Sequence, residues 1–475
     1  MEKEMNKNKS LVYIIICFFI CSIPLIGMIN NKTDVTTEKK ELSKFPSIKK
    51  EESINIRYLP ELGDYFTDHF AYRQELVSLN SYLYTNLFNV SNTDNVIAGR
   101  NNWLYYKDSL KDYIGKDIMS DRAIFNVINN IAMMQQYVQN KNKEFIFTIV
   151  PNKNSLYYEN MPYYYKKVSN DNNLSNLNKE IKRQNINYVD LKSIFEKNKN
   201  ILYLKRDSHW NNKGALLAYN SILNKKNIKH YYYDGNEPNK QNDYIGDLNL
   251  MVYPKFSVPE ENYYYDYKQY KYVTDTKSVE EPIIKTKSSY GKNNLLMYRD
   301  SFGNTLIPFM SGAFKNATYS KLVPYNITED LKSSKADVVI IEKVERNIDE
   351  FSNMPPIIEG LKFNIRGKER EVYTNTTLEC SLSEENRNYI KISGIIDKDW
   401  IDSNSEIYIR ITNEDNQKLN VYKTFLSTVN NNDYGFTLYL DKSKVNYENA
   451  FIEVIGKQKK YLNILYEDAI GFDKF

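Results

Sequence analysis

Apolar and polar residues follow one another along this chain in a pattern that predicts a sheet flanked by helices. Residues 145–150 form a run that is apolar on both faces of a strand, which is typical of buried parallel strands. Further strand-like runs lie at residues 186–191, 201–204, 295–298 and 336–342. Helical patterns separate these runs, so we expect an α/β fold with a mainly parallel sheet.

The helices are predicted from apolar residues that recur three and four positions apart. Such spacing predicts a short helix containing Leu177 and Ile181, a helix over residues 213–223, and a helix that begins at Ser301. A helix after His69 is predicted from a leucine stripe at positions 76, 79, 83 and 87. The longest stripe marks one face of a helix and consists of Ile124, Val127, Ile128, Ile131, Met134 and Val138.

The amino-terminal region has the features of a membrane anchor. Residues 11–29 are mostly apolar and long enough to cross a bilayer, and Lys3, Lys7 and Lys9 precede them, which predicts that the amino end stays in the cytoplasm. A cleaved signal peptide is the alternative, but no small-x-small cleavage site follows the run. We therefore expect a single-pass protein of the cell membrane whose residues 1–10 are cytoplasmic and whose globular part is extracytoplasmic.

The polarity and periodicity of the sequence divide the rest of the chain into regions. Residues 30–55 are polar and read as a stem, and residues 56–375 hold the α/β pattern. Within them, residues 231–290 are rich in tyrosine and lack a period, so we expect an insertion or covering loop. Residues 376–475 are predicted to form a small all-β sandwich, because short alternating runs recur at 389–392, 407–411, 434–440 and 451–455.

The amino-acid composition argues against nucleic acid as a partner. The 475 residues include 64 basic and 60 acidic side chains, a net charge of +4, so no overall field favours nucleic acid. Cys380 is the only cysteine after the apolar run, so an intramolecular disulfide cannot form in the globular part. The 42 tyrosines fit either AT-rich coding or selection for aromatic contacts.

Two short motifs, RDSHWN at residues 206–211 and YRDSFGN at residues 298–304, supply the parts of a nucleophilic site. A serine hydroxyl needs a base to remove its proton, and the base needs a carboxylate to orient it. Ser301, His209 and Asp207 are the candidates, and both motifs follow predicted strands, where open α/β sheets bind ligands. Of the other two histidines, His69 is read as a polar residue at a helix entrance rather than a catalytic one, and position 230 as a loop residue.

Neighbours of the three candidates complete the predicted site. The backbone N–H groups of Ser301 and Gly303, at a helix start, are candidate oxyanion donors. Trp210, Arg299 and Arg346 are candidate substrate-binding residues, although Arg346 and its neighbour at 345 equally fit an ion-paired strand end. The sequence shows no metal-ligand spacing and no phosphate-binding loop, so we expect no metal and no cofactor.

Together these motifs resemble the DHHW family, which is related to the alginate O-acetyltransferase proteins of the SGNH-hydrolase-like superfamily. The similarity rests on DSHWN followed by Gly-Ala at 214–215, on RDSFG, on VERN at 344–347, and on WLYY at 103–106 and VPNK at 150–153, and it spans roughly residues 58–375. It implies an SGNH-hydrolase-like fold in which Ser301 accepts the acyl group, His209 is the base and Asp207 orients it. Ser208 replaces the second histidine of the family name and is expected to face away from the site. Arg299 replaces the glycine of ordinary SGNH esterases.

The resemblance implies an O-acetyltransferase that acts on an extracytoplasmic polysaccharide. It also implies a membrane-bound O-acyltransferase as the supplier of acetyl groups. On this hypothesis we expect the terminal β domain to bind the polysaccharide. Two alternatives remain open at this point. The same triad would make a carbohydrate esterase if water were the acceptor, and a non-catalytic glycan-binding surface protein would need no triad at all.

Overall fold

The computed structural model describes residues 11–19, 22, 27, 42–50, 53–169, 171–233, 235, 237–372, 374–413, 418–445 and 448–475. Residues 11–19 are helical. The strands before residue 360 are β1 (Lys49–Lys50), β2 (Ser53–Ile54), β3 (Val96–Ala98), β4 (Leu104–Tyr106), β5 (Glu144–Val150), β6 (Tyr188–Val189), β7 (Asn239–Tyr244), β8 (Glu260–Tyr264), β9 (Tyr270–Tyr272), β10 (Ile283–Ser288), β11 (Asn294–Tyr298), β12 (Asn316–Ser320) and β13 (Val338–Val344).

The later strands are β14 (Lys368–Glu371), β15 (Glu379–Leu382), β16 (Tyr389–Ile395), β17 (Glu406–Asn413), β18 (Lys418–Lys423), β19 (Phe425–Val429), β20 (Asn432–Asp441), β21 (Ala450–Gln458) and β22 (Tyr461–Ile470). The α-helices from residue 58 onward are α1 (Tyr58–His69), α2 (Arg73–Phe88), α3 (Leu110–Ile114), α4 (Asp121–Asn140), α5 (Lys153–Leu156), α6 (Asn173–Ile181), α7 (Leu191–Glu196), α8 (Asn212–Asn224), α9 (Asp247–Val252), α10 (Ile307–Ala313), α11 (Ile327–Ser334) and α12 (Glu350–Asn353).

The central sheet has seven strands in the order β6-β5-β13-β11-β12-β10-β9. The neighbours from β6 to β12 are parallel, and β10 and β9 extend the sheet with antiparallel pairing. The prediction of a mainly parallel sheet flanked by helices is confirmed. Because parallel strands end on the same side, the segments after β5, β11 and β13 meet at one edge.

Both faces of this sheet are buried, which explains the continuous apolar runs that predicted its strands. Alternate residues of β5 point to opposite sides, so that Phe145 and Phe147 contact the face covered by α4 and α6, while Ile146 belongs to the core on the other face. The second face is covered by α8 and α10, through residues such as Ala218 and Phe309. Hydrophobic cores on both faces of the sheet therefore fix the edge at which β5, β11 and β13 end.

The leucine stripe that predicted α2 does not face a core. Leu76, Leu79, Leu83 and Leu87 are 46%, 48%, 47% and 68% exposed. The period correctly predicted the helix, but period alone does not say what covers the apolar face. None of the helices in the described ranges has the length and apolar character needed to span a bilayer. The predicted anchor lies partly outside the described residues, which contain only positions 11–19, 22 and 27 of it.

Residues 231–290 contain more regular structure than their sequence suggests. Strands β7 and β8 form an antiparallel hairpin with α9 between them, and β9 and β10 join the edge of the central sheet. The first half of this segment lies over the loop that carries the predicted base, because the backbone N–H of Asn249 in α9 donates to the carbonyl of Arg206.

The carboxyl-terminal region forms two antiparallel-rich sheets that face each other, in agreement with the predicted sandwich. One has the strand order β14-β22-β21-β17-β18 and the other β15-β16-β20-β19. Ile392 and Leu438 of the second sheet share a core with Ile409 and Val454 of the first. Strand β14 precedes the predicted start at residue 376 and pairs in parallel with β22.

The sandwich packs on the α/β part through the polar face of α4. Asn130 donates through Nδ2 to the carbonyls of Phe351 and Leu426, both at 2.7 Å, and its Oδ1 accepts from the N–H of Leu426 at 2.9 Å. Arg122 is 2% exposed and donates to the carbonyl of Ser405 at 2.7 Å. Helix α4 thus packs its apolar stripe on the central sheet and its buried polar residues on the sandwich.

Candidate active site

The two motif loops meet at the carboxyl edge of the central sheet. Ser301 lies three residues after the end of β11 and immediately before a 3₁₀ turn, Phe302–Leu306, that leads into α10. His209 lies at the end of a loop that also contains Asp207. The distance from His209 Nε2 to Ser301 Oγ is 2.8 Å, so the imidazole can take the hydroxyl proton directly.

Asp207 fixes the orientation of the imidazole. Its Oδ1 accepts hydrogen bonds from His209 Nδ1 at 2.7 Å and from the His209 backbone N–H at 2.8 Å. With Nδ1 donating to the carboxylate, Nε2 is free to accept the proton of Ser301. The carboxylate is buried, with 3% of its side chain exposed, whereas 18% of the imidazole is exposed.

The contact between Asp207 and His209 lowers the pKa of the carboxyl group and raises the pKa of the imidazole, so the charged form of each is favoured. Burial alone would raise the pKa of Asp207, but the charge of His209 and the hydrogen bonds from its ring and from two backbone N–H groups hold that pKa below its usual range. Burial alone would lower the pKa of His209, but the charge and hydrogen bond of Asp207 raise it above the usual 6.5. The imidazolium that forms when the base accepts a proton is therefore stabilised.

The loop that carries this pair is not the extended strand expected from residues 201–204. Only one antiparallel bridge forms, between Tyr203 and Trp210, and the residues between them bend. The carboxylate of Asp207 bonds to the N–H two residues on, as in an Asx turn, and this turn brings the carboxylate and the imidazole to the same side.

Lys153, after β5, holds this loop from below. Its ammonium donates to the carbonyls of Leu204, Lys205 and Asp207 at 3.1, 3.0 and 2.5 Å. The side chain is 4% exposed, and burial lowers the pKa of Lys153 to about 8. The structure therefore places Lys153 as a support of the loop that carries Asp207 and His209.

A second carboxylate, missed in the sequence, lies near the same nitrogen of the imidazole. Asp247 Oδ2 accepts from Ser208 Oγ at 2.6 Å and lies 3.8 Å from His209 Nδ1, and its backbone N–H donates to Asp207 Oδ2 at 2.8 Å. Tyr244 also donates to Asp207 Oδ2, at 3.3 Å. Both residues come from the aperiodic segment 231–290, where no pattern indicated them.

The expectation that Ser208 faces away from the site is wrong. Its hydroxyl lies 3.1 Å from His209 Nδ1 and is 2.6 Å from Asp247 Oδ2. The tight turn breaks the alternation of side chains that an extended strand would have. Ser208 therefore connects the second carboxylate to the imidazole.

Two of the three candidate substrate-binding residues are buried. Trp210 is 1% exposed, donates through Nε1 to Thr305 Oγ1 and packs edge-on against Phe302 at 5.3 Å. Arg299 is also 1% exposed and donates to Asn304 and to the carbonyls of Val279 and Glu281. Both side chains therefore support the turn around Ser301 from the protein interior. Trp210 packs on the Phe302 ring, and Arg299 donates to backbone carbonyls.

Arg346 is the exception, because it lies beside the reacting groups. Its guanidinium is 5.7 Å from the centre of the Phe302 ring, and the His209 ring lies 4.7 Å from that same ring. It donates to Asn152 Oδ1 at 3.4 Å. The neighbouring Glu345 does not pair with it but accepts from the N–H of Asn152 at 2.7 Å and from Ser155 Oγ.

The nucleophile turn leaves backbone donors at its start. The N–H of Phe302 donates to Asp300 Oδ1 at 2.8 Å, and Asp300 Oδ2 accepts from the N–H of Val344 at 2.7 Å. In the described portion of the chain, no acceptor bonds the N–H of Ser301 or of Gly303. These two groups remain the candidate oxyanion donors.

Asp207, His209 and Asp247 also form a group of three possible metal ligands within 4.8 Å of one another. The atoms such an ion would need are engaged, because His209 Nδ1 bonds to Asp207 Oδ1 and Asp247 Oδ2 accepts from Ser208. The hydrogen bonds fit a proton relay better than a metal centre.

Comparison with known proteins gives one family match. Residues 96–250, which include the His209 loop and Asp247, match a family described as the SGNH hydrolase-like domain of acetyltransferase AlgX. None of the curated protein sequences matches the chain. Among solved structures, Bacillus cereus PatB1 is 18% identical with a TM-score of 0.43, and the match covers 53% of this chain and 96% of that one.

Two further solved structures are similar at lower scores. A DHHW family protein from Eubacterium siraeum DSM 15702 is 16% identical with a TM-score of 0.40, over 53% of this chain and 94% of that chain. The O-acetyltransferase domain of Pseudomonas putida AlgJ is 15% identical with a TM-score of 0.37, over 54% and 92%. The resemblance inferred from the motifs is confirmed: over residues 96–250 this chain is similar to the SGNH hydrolase-like acetyltransferase family of AlgX.

Proposed function

We propose that this protein is a membrane-anchored, extracytoplasmic O-acetyltransferase that transfers an acetyl group through an acyl-serine to a hydroxyl of a polysaccharide. The observation that carries the proposal is the chain of hydrogen bonds from Asp207 through His209 to Ser301, with distances of 2.7 and 2.8 Å. The family similarity over residues 96–250 supports acetyl transfer as the reaction class.

In the first half-reaction, His209 Nε2 takes the proton of Ser301 Oγ while that oxygen bonds to the carbonyl carbon of an acetyl ester. The N–H groups of Ser301 and Gly303 stabilise the oxyanion. The tetrahedral intermediate then collapses, the bond to the leaving oxygen breaks, and the imidazolium gives its proton to that oxygen. Asp207 stabilises the imidazolium throughout.

In the second half-reaction a sugar hydroxyl takes the place of the leaving group. His209 Nε2 accepts its proton as the sugar oxygen bonds to the acetyl carbon, and Ser301 Oγ leaves with the proton that the imidazolium returns. Water would react by the same steps, so the acceptor that the site holds decides between transferase and esterase. Delivery of acetyl groups by a membrane-bound O-acyltransferase, and anchoring by residues 11–29, belong to this proposal.

The test uses the full chain in detergent with p-nitrophenyl acetate as the donor and oligosaccharides as acceptors. Mass spectrometry of the protein and of the sugars follows the acetyl group. We expect acetylated Ser301 and then acetylated sugar, and we expect Ser301→Ala to lower the rate of sugar acetylation by at least about a thousandfold. Ser333→Ala, on the surface of α11, is the matched control.

The other outcomes are distinct. Acetylated Ser301 that releases acetate only to water, with every acceptor offered, would show an esterase. Absence of acetylated Ser301, together with retained binding of oligosaccharide, would show a glycan-binding protein without catalysis.

A further inference from the structure

Behind the turn that carries Ser301, the protein buries a carboxyl group that neither half-reaction uses. Glu342 lies in β13, the neighbour of β11 in the central sheet, and is 0% exposed. Ile340, two positions earlier, packs in the core that contains Phe302, so Glu342 points to the same face of the sheet. The Oε2 atom of Glu342 accepts from the backbone N–H of Asp300 at 3.2 Å. The carboxyl group therefore contacts the residue before the nucleophile.

The turn itself also packs on this carboxyl group. A Cβ atom at position 303 would lie 2.8 Å from Glu342 Oε2 and 2.6 Å from Arg299 Cβ, so a side chain has no room there and Gly303 is required. The backbone N–H of Gly303 is one of the two candidate oxyanion donors. A displacement of the Glu342 carboxyl group would therefore move a donor that the reaction uses.

The side chains of Glu342 and Asp300 are within hydrogen-bond contact of each other. Both oxygens of Asp300 already accept from backbone groups, Oδ1 from the N–H of Phe302 at 2.8 Å and Oδ2 from the N–H of Val344 at 2.7 Å. Such donors stabilise an ionised carboxylate. Because a hydrogen bond between two carboxyl groups needs a proton on one of them, Glu342 is the group that holds it.

The surroundings of Glu342 disfavour its ionised form. Its Oε1 has no donor in the part of the chain that the structure describes, although buried carboxylate oxygens normally accept hydrogen bonds. Burial first, and then the charge of Asp300, hold the pKa of Glu342 well above the usual 4.5. The geometry and the electrostatics of the site thus agree on a protonated side chain.

The neighbouring cations are engaged elsewhere. The charged or titratable groups that face Glu342 are Asp300, Arg299, Lys343 and Tyr203, and β5 contributes the uncharged Thr148 at the matching position. The ammonium of Lys343 donates to Glu350 Oε2 at 2.6 Å. The guanidinium of Arg299 donates to Asn304 and to two backbone carbonyls.

We propose that Glu342 is a positioning residue whose carboxyl O–H donates to Asp300 and thereby holds the turn that carries Ser301. This inference rests on the proposed function and adds a second proton requirement to the same site. Ionisation of Glu342 would bring two carboxylates into contact and replace the hydrogen bond by repulsion. Catalysis therefore needs a neutral His209 and a protonated Glu342.

The pH dependence of stability tests the proton on Glu342 without reference to catalysis. A glutamate that stays protonated in the folded protein ionises on unfolding, so its contribution to stability is lost as pH rises from the unfolded to the folded pKa. Urea unfolding of the full chain in detergent is compared with Glu342→Gln, which keeps a donor and cannot ionise. From about pH 5.5 to about pH 7.5, the folded-to-unfolded ratio of the unaltered chain should fall about tenfold per pH unit relative to Glu342→Gln. A relative ratio that does not change with pH would overturn the inference.

The kinetics of p-nitrophenol release from p-nitrophenyl acetate test the positioning role. Glu342→Leu removes the donor, so we expect kcat to fall by at least about tenfold while KM stays within about twofold, because oxyanion donors act mainly in the transition state. Glu342→Gln can donate through its amide and should keep kcat within about threefold of the unaltered chain. Thr148→Val, equally buried at the matching position of β5, is the matched control and should change neither constant.

The remaining outcomes are distinct. A Glu342→Gln protein that loses as much of kcat as Glu342→Leu, or a Glu342→Leu protein with an unaltered kcat, would overturn the positioning role. An unaltered chain that forms no acetylated Ser301 would contradict the proposed function, and the unfolding measurement would still decide whether Glu342 carries the proton.

Discussion

At the scale of single residues, two carboxylates with different connections lie near Nδ1 of His209. Asp207 bonds directly to Nδ1 of His209, and Asp247 reaches the same nitrogen through the hydroxyl of Ser208, with its own oxygen 3.8 Å away. Both charges raise the pKa of His209. Asp207 sets the tautomer, and Asp247 adds charge without a direct hydrogen bond.

Asp247→Asn should therefore shift the pH dependence of catalysis. The base acts in its neutral form, so the rate of acetyl-Ser301 formation rises with pH through the pKa of His209. Removal of a nearby negative charge destabilises the imidazolium and lowers that pKa, so the rise should occur at lower pH, by about half a pH unit or more. The rate of p-nitrophenol release from p-nitrophenyl acetate, recorded as a function of pH, measures this shift.

Ser208→Ala is the matched control for that change. It removes the bridging hydroxyl but leaves the charge of Asp247, so the profile should move less than in Asp247→Asn. Profiles that move equally would mean that the hydroxyl, rather than the charge, tunes the base.

Lys153→Met should disturb the catalytic loop more than its conservative size suggests. The substitution keeps the length of the side chain but leaves three carbonyl groups of the loop without their donor. We expect the unfolding free energy to fall by about 2 kcal/mol, and the rate of Ser301 acetylation to fall with it. Chemical denaturation and the esterase assay measure the two effects, and Lys192→Met, in a surface pair with Glu196, should show neither.

At the scale of elements, strand ends could be located from sequence and loops could not. Strands β5, β11 and β13 were predicted because burial on both faces imposes a long apolar run, and the segments after them carry Lys153, Ser301 and Arg346. The fold of residues 203–210 was missed, since a turn closed by an Asp side chain has no period. Asp247 was missed for the same reason.

The second limit concerns what faces a helix. Apolar spacing predicted both α2 and α4, yet the stripe of α2 is exposed and the polar face of α4 is buried. The sequence around Asn130 does not indicate that this residue bonds to the strand that contains Leu426, 296 positions later. The sequence predicts substrate contacts for Trp210 and Arg299, because it does not reveal which polar or aromatic residues beside a nucleophile point inward.

Asn130→Ala should weaken the attachment of the sandwich to α4. It removes one donor group and one acceptor and leaves the carbonyls of Phe351 and Leu426 and the N–H of Leu426 without a side-chain partner. Buried unpaired groups of this kind destabilise by about 1 to 3 kcal/mol each, so a loss of about 3 kcal/mol in unfolding free energy is expected. Urea unfolding measures it, with Asn140→Ala at the exposed end of α4 as the control, and a loss below 1 kcal/mol would contradict this reading.

At the scale of the whole molecule, the sandwich and the α/β part share packing as well as hydrogen bonds. Phe425 of β19 belongs to the apolar cluster that contains Phe147 and Phe351 under the central sheet. We expect the two parts to unfold together, because loss of the sandwich exposes that cluster. Calorimetry should show one transition for residues 56–475, and two well-separated transitions would contradict the expectation.

The position of Phe425 limits how the carboxyl-terminal sandwich of this protein could be exchanged. Modular enzymes often change partners when a binding domain is exchanged by recombination at a linker. A crossover near residue 375 would carry away β19 and with it an aromatic side chain that belongs to the core of the α/β part. Any foreign module joined at that point would have to supply a matching strand, so the α/β and carboxyl-terminal parts of this protein are expected to be inherited as one unit.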